Sequence, residues 1–137
     1  MKRVLVDTNV IASFLTDRNR AQQAKAAALL EAAETRRVEV VVAQLVAAEL
    51  VYVLLNAYGV SRSETAATLR DLLALPGVRT VDTLAWPRVF KLWPAVMSDF
   101  ADAALAAVAE GEPGTEVATF DAAFRRRLTR LGLPLYW

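Results

Sequence analysis

At 137 residues the chain has the length of one domain, and enough material to bury a sizeable core. Apolar residues make up 55% of it, above ordinary globular usage, which excludes an intrinsically disordered chain. A net charge of +1 announces no nucleic-acid binder in bulk, and the absence of Cys and His removes disulfides, zinc–thiolate sites, cysteine nucleophiles and the commonest general base.

Arg3 to Val6 is a short apolar run and reads as a first strand, after which Asn9 can cap a short helix reaching Leu15. Arg18 to Arg36, rich in Ala, Leu, Gln and Glu and free of Gly and Pro, is a helix. Val38 to Val42 is a buried strand. Gln44 to Tyr58 is a helix closed by Gly59, and Ser61 with Glu64 has capping-box spacing for another that runs to about Leu75, before Pro76-Gly77. Val78 to Val81 is a third strand, and Trp86 to Val96 a helix with Pro87 in its first turn. Asp99 to Ala109 is an Ala-rich helix, Glu116 to Thr119 a fourth strand, Ala122 to Arg130 a last helix, and Leu133 to Tyr136 a candidate edge strand. Strands alternating with helices predict a single α/β domain over residues 1–137, built on a mainly parallel sheet. The ligand site of such a sheet lies beyond the carboxyl ends of its strands.

The N-terminal Met-Lys-Arg is not followed by the apolar run of a signal peptide, because Asp7 and Asn9 interrupt it. Val40 to Val60 is apolar enough to suggest a membrane span, but Glu49 near its middle opposes insertion. A cytoplasmic protein with no membrane association is the expectation.

Four carboxylates sit where apolar segments end. Asp7 and Asp121 close the first and fourth strands, and each has a plain alternative role as the cap of the next helix. Asp99 and Asp102 open the Ala-rich helix with the spacing of an N-cap and a first-turn acid, which is also where a metal ligand would sit; Asp102 is preferred. Glu49 is the only charge between Glu39 and Arg62. If buried it needs a partner or a metal; the alternative is an exposed stripe. Acids delivered by separate segments to one sheet edge make a hard, oxygen-lined pocket suited to a divalent cation, and through it to phosphate. The arginines at 125, 126, 127 and 130 form the densest basic cluster, which also suits the C-terminus of a helix. Trp86 and Trp93, seven apart, read as core or dimer-interface residues rather than base-stacking platforms.

These pieces resemble the PIN-domain family, and within it VapC-type toxins of toxin–antitoxin pairs. The matching segments are Val4-Leu5-Val6-Asp7-Thr8-Asn9-Val10, Ala47-Ala48-Glu49-Leu50, Asp99-Phe100-Ala101-Asp102-Ala103-Ala104 and Thr119-Phe120-Asp121-Ala122, in order over essentially the whole chain. The resemblance implies a three-layer α/β/α sandwich around a four- or five-stranded sheet. It also implies a Mg²⁺-dependent endoribonuclease, with Mn²⁺ able to substitute, that cleaves single-stranded regions of RNA. Asp7, Glu49, Asp102 and Asp121 would be its catalytic and metal-binding acids, supported by Asp99, Thr8, Asn9 and Thr119. The partners implied are an RNA substrate, a small cognate antitoxin protein and a second copy in a homodimer. Attack by an activated water would leave a 5′-phosphate and a 3′-hydroxyl.

Two other readings share the same family outline: an RNA-processing PIN-like nuclease that is not a toxin, and a catalytically silent PIN-like interaction domain. A receiver-type phosphate switch would want adjacent acids after the first strand and a Lys after the last. A haloacid-dehalogenase-type phosphatase would want a second acid two residues beyond Asp7. None of these is present.

Overall fold

A computed structural model describes residues 1–137. Its centre is a parallel sheet of β1 (Lys2–Val6), β2 (Val38–Ala43), β3 (Val78–Val81) and β4 (Thr115–Ala118), in the order β3-β2-β1-β4. Val4, Leu5 and Val6 of β1 and Val40, Val41 and Val42 of β2 are buried, because inner strands of a parallel sheet are covered on both faces. Leu5 stands opposite Val41 on one side and Val117 on the other.

Parallel neighbours need crossover connections, and the helices supply them. α1 (Thr8–Leu15) and α2 (Arg20–Glu34) join β1 to β2, and α3 (Gln44–Asn56) and α4 (Arg62–Ala74) join β2 to β3. α5 (Trp86–Leu92) and α6 (Phe100–Gly111) carry the chain back across the sheet to β4, after which α7 (Ala122–Arg130) follows. Right-handed crossovers place α1 to α4 on one face and α5 and α6 on the other. The packing of α1 on α2 and α3, and of α5 on α6, agrees. The result is the expected three-layer α/β/α sandwich. Strand order reverses between β1 and β4, and a crevice opens at the carboxyl ends of that pair.

Several local expectations change. Asp7, not Asn9, caps α1: its carboxylate accepts from the Thr8 N–H, one residue before the helix begins. The helix expected from Trp86 to Val96 stops at Leu92. Trp93 precedes Pro94, whose ring disfavours helical backbone in the residue before it, and Trp93 is extended at φ −112°, ψ 135°. The sheet has four strands, since Leu133–Tyr136 contributes one bridge, Val117 to Leu135, and no ladder. Gly77 has a φ of 77° and lies so close to the Ala33 carbonyl that a side chain has no room. It lets the chain pass against α2 before β3 begins. No helix is long and apolar enough to cross a membrane.

Candidate metal centre

Asp7 leaves β1 at the reversal point, and its N–H is still bonded to the Ala118 carbonyl of β4 at 2.9 Å. The side chain is then fixed by three donors. Thr8 N–H reaches Oδ1 at 2.8 Å, while Asn9 Nδ2 at 3.1 Å and the Thr119 hydroxyl at 2.7 Å reach Oδ2. Thr119 is fully buried, and its oxygen also accepts from Asn9 Nδ2 and from the Asp121 N–H. Asn9 closes the network by accepting the Phe120 N–H at 3.1 Å. The segments after β1 and β4 are thus held together by the side chains of Asp7, Asn9 and Thr119, with the Thr8 N–H as a further donor.

Asp99 caps α6 by accepting the Asp102 N–H at 2.9 Å, and Asp121 caps α7 by accepting from Ala123 and Phe124 at 2.9 and 3.1 Å. Both caps use Oδ1, so each acid keeps its second oxygen free of hydrogen bonds. The capping role therefore does not exclude the ligand role that the sequence set against it. Asp102 sits in the first turn of α6 with its side chain 18% exposed, and its one cationic partner is Arg127 Nη1 at 4.0 Å. Glu49 departs from the buried position considered for it. It lies on the exposed side of α3, at the rim. One cavity of about 590 Å³ is lined by Asp7, Glu49, Asp99, Asp102 and Asp121 together, with Tyr58 and Val53 on its far wall.

The acids push one another toward the neutral form. Burial, then repulsion from Asp99, Asp7 and Asp121, raises the Asp102 carboxyl to about 7, against a small opposing pull from Arg127. Burial also raises Asp7, tempered by the hydrogen bonds from Thr119 and Thr8. Glu49 is raised as well, by partial desolvation that persists at its exposed position and then by Asp7 and Asp99. One arginine does not balance five acids, and such a cluster has the electrostatics of a cation site.

The donor set fits a hydrated divalent ion. All the side-chain oxygens are hard ligands, and the Thr8 hydroxyl, buried beside Asp7 and Glu49, has no hydrogen bond of standard length, only a weak polar contact that eases the charge on Glu49. No three acids are arranged to grip an ion by themselves. Mg²⁺ does not require that, because it is bound through one or two carboxylates and keeps several waters.

Two residues, Tyr58 in the pocket lining and Arg127 beside Asp102, were not singled out from sequence. Tyr58 was read only as a helix end, and Arg127 was lost in a run of arginines pointing in different directions. What distinguishes Arg127 is its place between Phe124 and Leu128, the buried positions of α7. Trp86, read as core or interface, is half exposed and stacks on Phe90 and Phe100, so it is not a core residue. A separate cleft of about 400 Å³ between α1, α2 and α4, mostly apolar but lined also by Glu31, Glu34, Thr68 and Asp71, shares no residue with the acidic cavity.

The model of the PIN domain family matches residues 4–127. Among solved structures, VapBC2 from Rickettsia felis, bound to a DNA fragment from its promoter, is similar over 97% of this chain and 96% of its own, with a TM-score of 0.66 and 14% identity. The PIN domain endonuclease Utp24 is similar over 97% of this chain and 82% of its own, at TM-score 0.55 and 18% identity. PAE2754 from Pyrobaculum aerophilum is similar over 92% and 84%, at 0.64 and 18%. No curated protein sequence matches significantly.

Proposed function

The chain belongs to the PIN domain family, and from that premise we propose that it is a metal-dependent endoribonuclease that hydrolyses single-stranded regions of RNA as the toxin of a toxin–antitoxin pair. The observation that carries the proposal is the convergence of Asp7, Glu49, Asp99, Asp102 and Asp121 on one cavity whose lining holds no cation, Arg127 reaching only Asp102 at 4.0 Å. Asp7 and Asp102 are the proposed metal ligands, with Glu49 and Asp121 completing the site, and Mg²⁺ the proposed ion, replaceable by Mn²⁺. When bound there, the ion supplies Lewis acidity toward a phosphate oxygen and an activated water.

The chain's own residues do the rest. Thr119, Asn9 and the Thr8 N–H hold the Asp7 carboxylate in one orientation, so no reorganisation is needed when charge arrives. Glu49 stands at the solvent rim with a raised affinity for protons, the property wanted in a group that takes the proton of an attacking water. Arg127 beside Asp102 is placed to meet negative charge building on a phosphate.

A small antitoxin protein, a homodimeric state and a cytoplasmic location belong to the same proposal. Their support is the fold likeness to the toxin–antitoxin complex of Rickettsia felis. The Utp24 likeness favours a second reading, an RNA-processing nuclease that is not a toxin. Conditional expression with total RNA mapped by 5′-end sequencing tests the proposal, alongside purified protein given Mn²⁺. The expected result is growth arrest, with cleavage products bearing 5′-phosphate and 3′-hydroxyl ends. Cleavage without growth arrest selects the second reading. Intact RNA in both settings, or 2′,3′-cyclic phosphate ends, overturns the metal-assisted hydrolysis.

A further inference from the structure

Thr119 faces two ways. Its hydroxyl donates to Asp7, while its carbonyl accepts from Arg125 Nη1 at 3.3 Å. On the Arg125 side lies a separate cleft of about 380 Å³, lined among others by Asn19, Gln22, Lys25, Phe120, Arg125 and Trp137. Phe120 is fixed at its N–H by Asn9 of the acidic site, and its ring stacks on Trp137 with centroids 4.9 Å apart and planes 10° from parallel. Arg125 donates to the Thr119 carbonyl and to the main-chain oxygen of Trp137, and Lys25 makes no hydrogen bond or ion pair. Past Arg125 the surface continues into a shallow groove bearing Arg126 and Arg130, also without acidic partners.

A row of cations, of which Lys25, Arg126 and Arg130 are unpaired, and a stacked aromatic pair, one residue from a cluster of carboxylates, have a specific chemical meaning. The cations attract a polyanion that the acids alone would repel. The rings accept a flat, unpaired base, which neither an acidic peptide nor a duplex offers. We propose that this cleft is a nucleotide subsite for single-stranded RNA, seating the residue next to the scissile phosphate. The base extends the Phe120–Trp137 stack, and its phosphate lies between Lys25 and Arg125. Arg126 and Arg130 carry the strand onward. The location of the scissile phosphate rests on the nuclease reading; strand binding at the cleft does not.

The test is fluorescence anisotropy with a labelled, unstructured single-stranded RNA of about ten nucleotides, in EDTA so that nothing is cut, across a range of salt. Wild type is expected to bind with a salt slope that Lys25→Ala and Arg126→Ala each lower by about 0.7. Trp137→Leu is expected to weaken binding about 10-fold. RNA is expected to quench tryptophan emission in wild type and not in Trp137→Phe. Lys25 is exposed and unpartnered, so its variant carries the test even where a Trp137 variant unfolds. Unchanged slopes and affinities overturn the subsite, and so does displacement of the RNA by polyglutamate at equal charge concentration. RNA cut by Mn²⁺-loaded protein while these variants bind normally removes the subsite and leaves the nuclease. Binding with the stated losses and no cleavage does the reverse.

Discussion

Replacing Asp102 with Asn is expected to make the metal-free protein more stable while abolishing cleavage. The Asp102 carboxyl is raised from its usual 3.8 to about 7, so at pH 8 the folded chain holds a charge it disfavours. Three units at 1.36 kcal/mol each set a ceiling of about 4 kcal/mol. The cavity is open to solvent and screening reduces this, so a gain of about 1–2 kcal/mol is the working figure. The loss of Arg127 as a partner at 4.0 Å subtracts less than about 1 kcal/mol. For a chain of this length the gain raises Tm by about 5 °C. The sign depends on pH. A carboxyl raised in the folded state favours folding when protonated, and that contribution is complete below pH 3.8 and lost as pH rises through about 7. The gap between Asp102→Asn and wild type is therefore widest at pH 8 and closes toward pH 4. Thermal melts in EDTA at a series of pH values measure it. A variant no more stable than wild type at pH 8, or a gap independent of pH, refutes the account of the site as a set of mutually repelling acids.

Three further outcomes follow from the same geometry. Mn²⁺ is expected to raise Tm of the wild type at pH 8 and much less at pH 5.5, where protons compete for the same oxygens, and Asp102→Asn is expected to lose the effect; calorimetric titration gives the affinities. Thr119→Val removes the donor to Asp7, leaves Asn9 Nδ2 with Asp7 as its one acceptor and strands the Asp121 N–H, so urea unfolding is expected to register a loss of about 2 kcal/mol, with Thr119→Ser recovering most of it. Gly77→Ala, forced into a left-handed backbone and against the Ala33 carbonyl, is expected to cost more than about 2 kcal/mol with no direct effect on the acids, read from urea midpoints.

The sheet was legible because β1 and β2 are uniformly apolar, a pattern that a strand buried on both faces imposes on its sequence. Helix types were legible for the same kind of reason, but their ends were not. The stop at Leu92 came from the clash of one proline with its predecessor, which a periodicity count ignores. Among the acids, Asp7 and Asp121 were readable because strand ends point at the site in any parallel sheet, and Asp102 because it opens a helix. Glu49 was harder, since an all-apolar neighbourhood in sequence says nothing about which way one helix face turns; it proved exposed. The Lys25–Trp137 cleft was not legible. Its residues are 112 positions apart, and what brings them together is the packing of α2 beside the segment after α7.

The caps of α6 and α7 have a consequence for how this chain can change. Asn starts a helix as well as Asp does. At positions 99 and 121 the exchange would preserve all three Oδ1 bonds and erase a charge at each. Asp7 is different, because an amide there would turn its own N–H groups against Asn9 Nδ2. A lineage relieved of selection for catalysis can therefore drift at 99 and 121 without unravelling, and would keep an acid at 7 long after the pocket has fallen silent. Retention of that one residue is a record of architecture, and the others are the record of use.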